Sequence, residues 1–247
     1  MSIFKRKVKD KFDTDIPKII IGDKSRASDS YYRLKDNVIY FSDNGKNKVF
    51  QIESAISGEG KSTVIVNLAV SLAKSGKKVI VLDLDFRRPK IHRVFDIPNF
   101  NGLTEYMLGE CEKEQVIKST PYGVDVINRG KAAQNASIIF TSDKFKHFIE
   151  ELKGNYDYVL FDCPPVLLVT DYIHISKLSD AILFVVCSGV TRRAQFSEAV
   201  ELLQRDGSKI FGTVLTYKKN AEFGSRYLKY YSSRYYRGYK NNYLNEE

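Results

Sequence analysis

Residues Ile56 to Pro89 read ISGEGKSTVIVNLAVSLAKSGKKVIVLDLDFRRP. A glycine-rich turn opens the stretch, a run with helical apolar spacing follows, and a nearly continuous apolar strand closes on two aspartates. With Ala55 in front, AISGEGKST (55–63) fits the pattern GxxxxGK[ST] except at its first position, where alanine replaces glycine. The flanks are the ones such a turn needs: KVFQIES (48–54) predicts a strand, and Ser62 to Lys74 predicts a helix with Val64, Leu68 and Leu72 on one face. Gly58 and Gly60 free the backbone to turn its N–H groups inward around phosphate oxygens. Lys61 has the length to reach β- and γ-phosphates, and the Ser62 hydroxyl suits Mg²⁺. Glu59 and Thr63 complete the loop, and the helix that begins there sets its positive end under the same phosphates. The bland alternative is a strand-to-helix turn that uses glycine for packing alone.

The end of the stretch adds acids. Asp83 and Asp85 stand two apart at the end of a predicted strand over 78–85, so their carboxylates are expected on one side. YDYVLFD (156–162) predicts another apolar strand and ends in a third acid, Asp162. Carboxylates at the rim of an apolar run are costly unless they meet a metal, a cation or water. The end of a strand is also the usual place for an acid that organises Mg²⁺. Three acids around one phosphate loop leave one to serve as general base or to orient a nucleophile. Any one of them could instead cap the helix that follows.

VDVI (124–127), AILFVVC (181–187) and KIFGTVLT (209–216) read as further strands. Helices are expected over 143–153, 171–177 and 191–205, with another near 27–41. Strands alternating with helices predict an α/β fold, a doubly wound, mostly parallel sheet with ligands at the carboxyl ends of its strands. Three segments follow: an arm with one helix (1–45), a phosphate-loop domain (46–216) and a polar, aromatic tail (217–247).

Charge follows the same division. The chain of 247 residues carries a net +9, of which +5 lies in residues 1–50 and +4 in 217–247, leaving the middle neutral. A neutral body with basic ends suits an acidic surface or partner, or simply solubility. Cys111, Cys163 and Cys187 are widely spaced, with no CxxC, which fits a reducing compartment better than a disulfide framework. No apolar run has the length to cross a bilayer, and the basic start MSIFKRKVKDKFD lacks the apolar core of a secretory signal. His92, His147 and His174 form no ligand spacing with one another or with a cysteine.

The tail is YLKYYSSRYYRGYKNNY between positions 227 and 243, with seven tyrosines in seventeen residues: Tyr227, Tyr230, Tyr231, Tyr235, Tyr236, Tyr239 and Tyr243. The adjacent pairs match neither a strand period nor a helical one. Tyrosine among lysine and arginine can stack on single-stranded nucleic acid. In a chain that also carries a phosphoryl-transfer site, substrate tyrosines fit better, and no nucleic acid is expected.

AISGEGKST, VIVLDLDFRRPKIHRVF, YVLFDCPPVLLVTD and the tyrosine-rich C-terminus together resemble the bacterial tyrosine kinases of capsule and exopolysaccharide synthesis. The resemblance implies a cytoplasmic, ATP- and Mg²⁺-dependent protein-tyrosine kinase with a P-loop fold. It implies autophosphorylation of the C-terminal cluster, self-association through tail exchange, and recruitment to the inner face of the membrane by the cytoplasmic tail of a membrane-embedded activator. Carried over by position, Lys61 is the phosphate lysine, Ser62 the Mg²⁺ hydroxyl, Asp83 the base for the tyrosine hydroxyl, and Asp85 and Asp162 the metal-organising acids. The family's ring-forming Glu-x-x-Arg-x-x-Arg appears as Asp29, Tyr32 and Lys35, and Thr216 stands where an asparagine is common. Two other readings remain at this stage. One is a partitioning-type P-loop ATPase switch, which usually carries a second lysine early in the loop, where this chain has Ser54 to Ser57. The other is a weakly active nucleotide-binding scaffold.

Overall fold

The computed structural model describes residues 16–22, 26–133 and 135–217. The seven tail tyrosines and the basic N-terminal start lie outside the described residues. Among the described residues a seven-stranded sheet forms the centre, from β1 (Val49–Ser54), β2 (Val79–Asp83), β3 (Lys118–Ser119), β4 (Val124–Ile127), β5 (Tyr158–Asp162), β6 (Ala181–Ser188) and β7 (Ile210–Tyr217). The spatial order is β3-β4-β2-β5-β1-β6-β7. All pairings are parallel except that of β3 with β4.

Parallel strands covered on both faces must be apolar throughout, and β1, β2 and β5 are buried at every position. One face packs on α1 (Arg26–Phe41) and α2 (Lys61–Ala73), where Phe50, Ile52, Val81 and Leu160 meet Val64, Leu68 and Leu72. The other face packs on α7 (Asp143–Asn155), where Ile80, Leu82, Val159 and Phe161 meet Phe145, Phe148 and Ile149. Each such side chain is worth roughly 1.5–3 kcal/mol when fully buried. A third cluster joins Phe184 of β6 to Ala199 and Leu203 of α9 (Arg193–Arg205). The Ser142 side chain caps α7 by accepting the Phe145 N–H at 3.2 Å.

Helix α2 is buried on nearly all sides, from Val64 through Leu72. The expected one-faced helix is therefore a sandwiched one, because α1 lies over it. The chain before α1 is tied in as well: the Asn67 side chain accepts the Ile20 N–H at 2.7 Å and donates to the Lys18 carbonyl at 2.8 Å. Burial on nearly every side is what a doubly covered position imposes, with Asn67 and Ser71 as the buried polar exceptions.

Several expectations need correcting. The strand expected over 78–85 ends at Asp83, so Asp83 and Asp85 do not share a strand face. The last β2–β5 pair is Asp83↔Asp162, and after one more bond, from the Leu84 N–H to the Asp162 carbonyl, the chain turns away at Phe86. The helix expected over 171–177 is α8 (Tyr172–Ile175) followed by a 3₁₀ turn, Ser176–Leu178. Four short helices were not foreseen: α3 (Ile91–Val94), α4 (Leu103–Leu108), α5 (Lys113–Val116) and α6 (Ala136–Thr141). Four to six residues are too few to show a helical period. Among the described residues no helix is long and apolar enough to cross a membrane.

Candidate active site

The loop between β1 and α2 has the predicted form. Gly58 and Gly60 take positive φ values of 84° and 97°, a region closed to most side chains. An added Cβ at Gly60 would meet the Thr216 methyl at ordinary contact distance, so its φ rather than crowding selects glycine. Lys61 is 8% exposed, and its ammonium donates to Ser54 Oγ at 3.0 Å. Ser54 Oγ in turn donates to the Ile56 carbonyl at 2.8 Å, which closes the loop on itself.

Glu59 turns away from the phosphate side. Its buried carboxylate accepts the Ile56 N–H at 2.8 Å and the Thr191 hydroxyl, while Thr191 Oγ1 accepts the Cys187 N–H at 2.8 Å. The Glu59 carbonyl accepts the Thr216 hydroxyl at 2.7 Å. The loop is thus fastened from behind to β6, β7 and the entry to α9. Composition could not show this, because the three partners lie over a hundred residues downstream.

Ser62 Oγ donates to Asp162 Oδ2 at 2.8 Å, joining the loop to the acid strand. Asp162 Oδ1 is buried and has no hydrogen-bond partner among the described residues. Burial pushes the Asp162 carboxyl up to about 6, against the pull of Lys61 and the Ser62 bond. Asp83 stands beside it in the sheet register, wholly buried. Its Oδ2 accepts the Lys90 and Ile91 N–H groups at 2.9 and 3.0 Å, capping α3, and its Oδ1 has no partner. Burial, and after it the charges of Asp162 and Asp85, hold the Asp83 carboxyl well above the usual carboxylate range. Asp85 lies in the turn after β2, where Oδ1 accepts the Arg88 N–H at 2.9 Å, and it lines the cleft with Ser57, Lys61, Ser62 and Lys90.

The residues fit a nucleotide with Mg²⁺. Two glycines in left-handed conformation make the cradle, and a buried carboxylate oxygen on Asp162 lacks a partner beside a hydroxyl. No three acids, thiols or imidazoles among the described residues stand close enough to form a ready metal cage. Mg²⁺ does not require one, since it keeps several waters and takes one or two carboxylates plus phosphate oxygens.

Elsewhere the predicted residues separate. Asp29, Tyr32 and Lys35 share α1, but Tyr32 packs against the core and Lys35 pairs with Asp36 at 2.8 Å. Cys163 and Cys187 are buried, and burial pushes the Cys163 thiol up, away from reactivity. His147 Nδ1 bonds the Asp143 carbonyl at 2.7 Å within its own helix. Reading the sequence missed Glu53, Arg129 and Asp171. Glu53 sits inside an apolar strand, and the QIES spacing of Gln51 and Glu53 on one side was the signal available.

The AAA domain family profile matches residues 47–207. The tyrosine-protein kinase YwqD of Bacillus subtilis is 35% identical over 205 residues, covering 81% of this chain and 86% of that one. The putative tyrosine-protein kinase CapB of Staphylococcus aureus is 30% identical over 209 residues, covering 84% and 91%. Among solved structures, the chimerical protein CapA2B2 superposes with a TM-score of 0.77 at 32% identity, covering 81% of this chain and 91% of that one. The septum site-determining protein MinD of Pyrococcus horikoshii, complexed with Mg-ADP, reaches a TM-score of 0.58 at 25% identity, covering 68% and 69%. The likeness to MinD is thus the weaker of these two structural matches. With its phosphate loop, its acids at the ends of β2 and β5 and this extent of likeness, the chain belongs to the bacterial tyrosine-protein kinase family.

Proposed function

We propose that this kinase uses ATP and Mg²⁺ to phosphorylate tyrosines, first those of its own cluster from Tyr227 to Tyr243, and so regulates capsule or exopolysaccharide synthesis and export. The observation that carries the reading is the Ser62–Asp162 bond, which brings the phosphate loop and the acid strand into one site. Bound there, Mg·ATP supplies the transferable phosphoryl group and the charge that polarises it. Gly58 to Ser62 would hold the phosphates through main-chain N–H groups, and Lys61 would exchange its Ser54 bond for a phosphate oxygen. Ser62, Asp85 and Asp162 would hold the metal. Asp83 would take the phenolic proton at Oδ1, the oxygen left without a hydrogen-bond partner among the described residues.

Residues 46–216 form the catalytic domain in this reading, with 217–247 as substrate. The activator is the cytoplasmic tail of a membrane protein, which recruits the kinase to the inner face of the membrane. Likeness to the chimerical protein CapA2B2 supports a protein partner for this kinase domain. The test is incubation with Mg·ATP, with and without candidate activator tails, followed by phosphosite mapping. Phosphotyrosine in the segment 227–243 is expected. ATP hydrolysis without phosphotyrosine would replace this reading with the ATPase switch.

A further inference from the structure

Asp85 stands in a turn, Leu84 to Pro89, that belongs to no helix or strand. Fixing such backbone costs conformational entropy, so something must hold it. Two bonds come from the motifs themselves: the Leu84 N–H donates to the Asp162 carbonyl at 2.9 Å, and the Arg88 N–H donates to Asp85 Oδ1 at 2.9 Å. Two more come from outside them. Arg129, two residues beyond β4, donates from Nη1 to the Phe86 carbonyl at 2.8 Å and from Nε to the Gly130 carbonyl at 3.1 Å. Asp171, at the entry to α8 and 2% exposed, forms an ion pair with Arg87 Nη1. Phe86 and Arg87 follow Asp85 directly, so the turn is gripped by a cation from one element and an acid from another.

We infer that Arg129 and Asp171 are positioning residues that fix Asp85 at the metal end of the site. The inference rests on the proposed role of Asp85 as a metal-organising acid. A planar guanidinium can bond two carbonyls on separate segments at once, which an ammonium does less well. Its charge also acts on Asp83 and Asp85, the acids with which Arg129 interacts most. Asp171 is nearly wholly buried, and a buried carboxylate without its cation would be costly. Outer residues that orient metal ligands typically account for 10- to 100-fold in metal affinity.

The experiment measures ADP affinity by calorimetry, in Mg²⁺ and in EDTA, for the wild type and for Asp85→Asn, Arg129→Met, Arg129→Lys and Asp171→Asn. The quantity of interest is the factor by which Mg²⁺ tightens ADP. Asp85→Asn is expected to erase most of it, Arg129→Met and Asp171→Asn to cut it roughly tenfold, and Arg129→Lys to restore part. Affinity in EDTA should stay unchanged, since the phosphate loop is untouched. If Asp85→Asn loses the Mg²⁺ effect while Arg129→Met and Asp171→Asn keep it, the clamp is refuted and the role of Asp85 stands. If Asp85→Asn keeps the effect, the functional reading beneath the clamp falls. Equal losses in EDTA and Mg²⁺ would mark a general structural role and also overturn the inference. Should Arg129→Met fail to fold, Arg129→Lys decides by the same ratio.

Discussion

Replacing Glu53 with glutamine should stabilise the nucleotide-free protein, and the gain should grow with pH. Glu53 lies on β1 in the middle of the sheet and is wholly buried. Its Oε1 accepts the Gln51 amide at 2.7 Å, Gln51 Oε1 accepts the Ser179 hydroxyl at 3.1 Å, and Oε2 has no partner among the described residues. Burial pushes the carboxyl from its ordinary 4.5 up to about 8, even though the Gln51 bond and the Lys61 charge pull the other way. Below pH 4.5 both folded and unfolded chains keep the proton, and nothing is lost. Between 4.5 and 8 the unfolded chain releases it while the folded chain does not, so stability falls as pH rises through that window. At ~1.4 kcal/mol per pH unit the loss approaches about 5 kcal/mol by pH 8, and about 3 kcal/mol of it is present at pH 7. Glutamine keeps the Gln51 bond and never ionises. Urea unfolding of both proteins at pH 4.5, 6, 7 and 8 isolates the difference, because Asp83 and Asp162 titrate in both. A difference that is flat with pH, or a variant less stable than wild type at pH 8, would refute the reasoning. Against a typical total of 5–15 kcal/mol, an effect of this size is easily measured.

Lys61→Met should abolish tyrosine phosphorylation, since the lysine that closes the phosphate loop would be lost; wild-type labelling by mass spectrometry would contradict that role. Asp83→Asn should stop transfer while leaving Mg·ADP bound, whereas Asp162→Asn should weaken nucleotide and metal retention together, and equal binding losses in the two variants would deny the division. Gly130→Ala should destabilise the fold by roughly 2–3 kcal/mol, because Gly130 sits at φ 80° and an added Cβ would come within 1.8 Å of Glu105 Oε2. Thermal unfolding checks it, with an unchanged midpoint as the contrary result.

What could be read from the sequence follows from how locally each feature is encoded. The phosphate loop, α2 and the core strands each carry their signal within a dozen residues, as with the continuous apolar run at Val79–Leu82 or the glycines at 58 and 60. Asp83, Asp85 and Asp162 were legible because they end apolar runs. The sandwiching of α2 was not, since it depends on where α1 docks. Arg129, Asp171 and Thr191 carry no local mark. Each acts through a partner 40 or more residues away, with separations of 43, 84 and 132 for the Phe86, Arg87 and Glu59 contacts. Glu53 broke the apolar pattern of its strand, and a charged residue in such a run is itself a sign of a buried polar site.

The backward turn of Glu59 has a mechanical meaning. A loop bonded through one residue to Ile56, Thr191 and Thr216 has no slack. A rearrangement of Gly58 to Gly60 either breaks the Glu59–Thr191 bond or moves Thr191, which lies two residues before the first turn of α9. The phosphate loop and the start of α9 are thus joined through one side chain, while Ala199 and Leu203 hold the rest of the helix against β6.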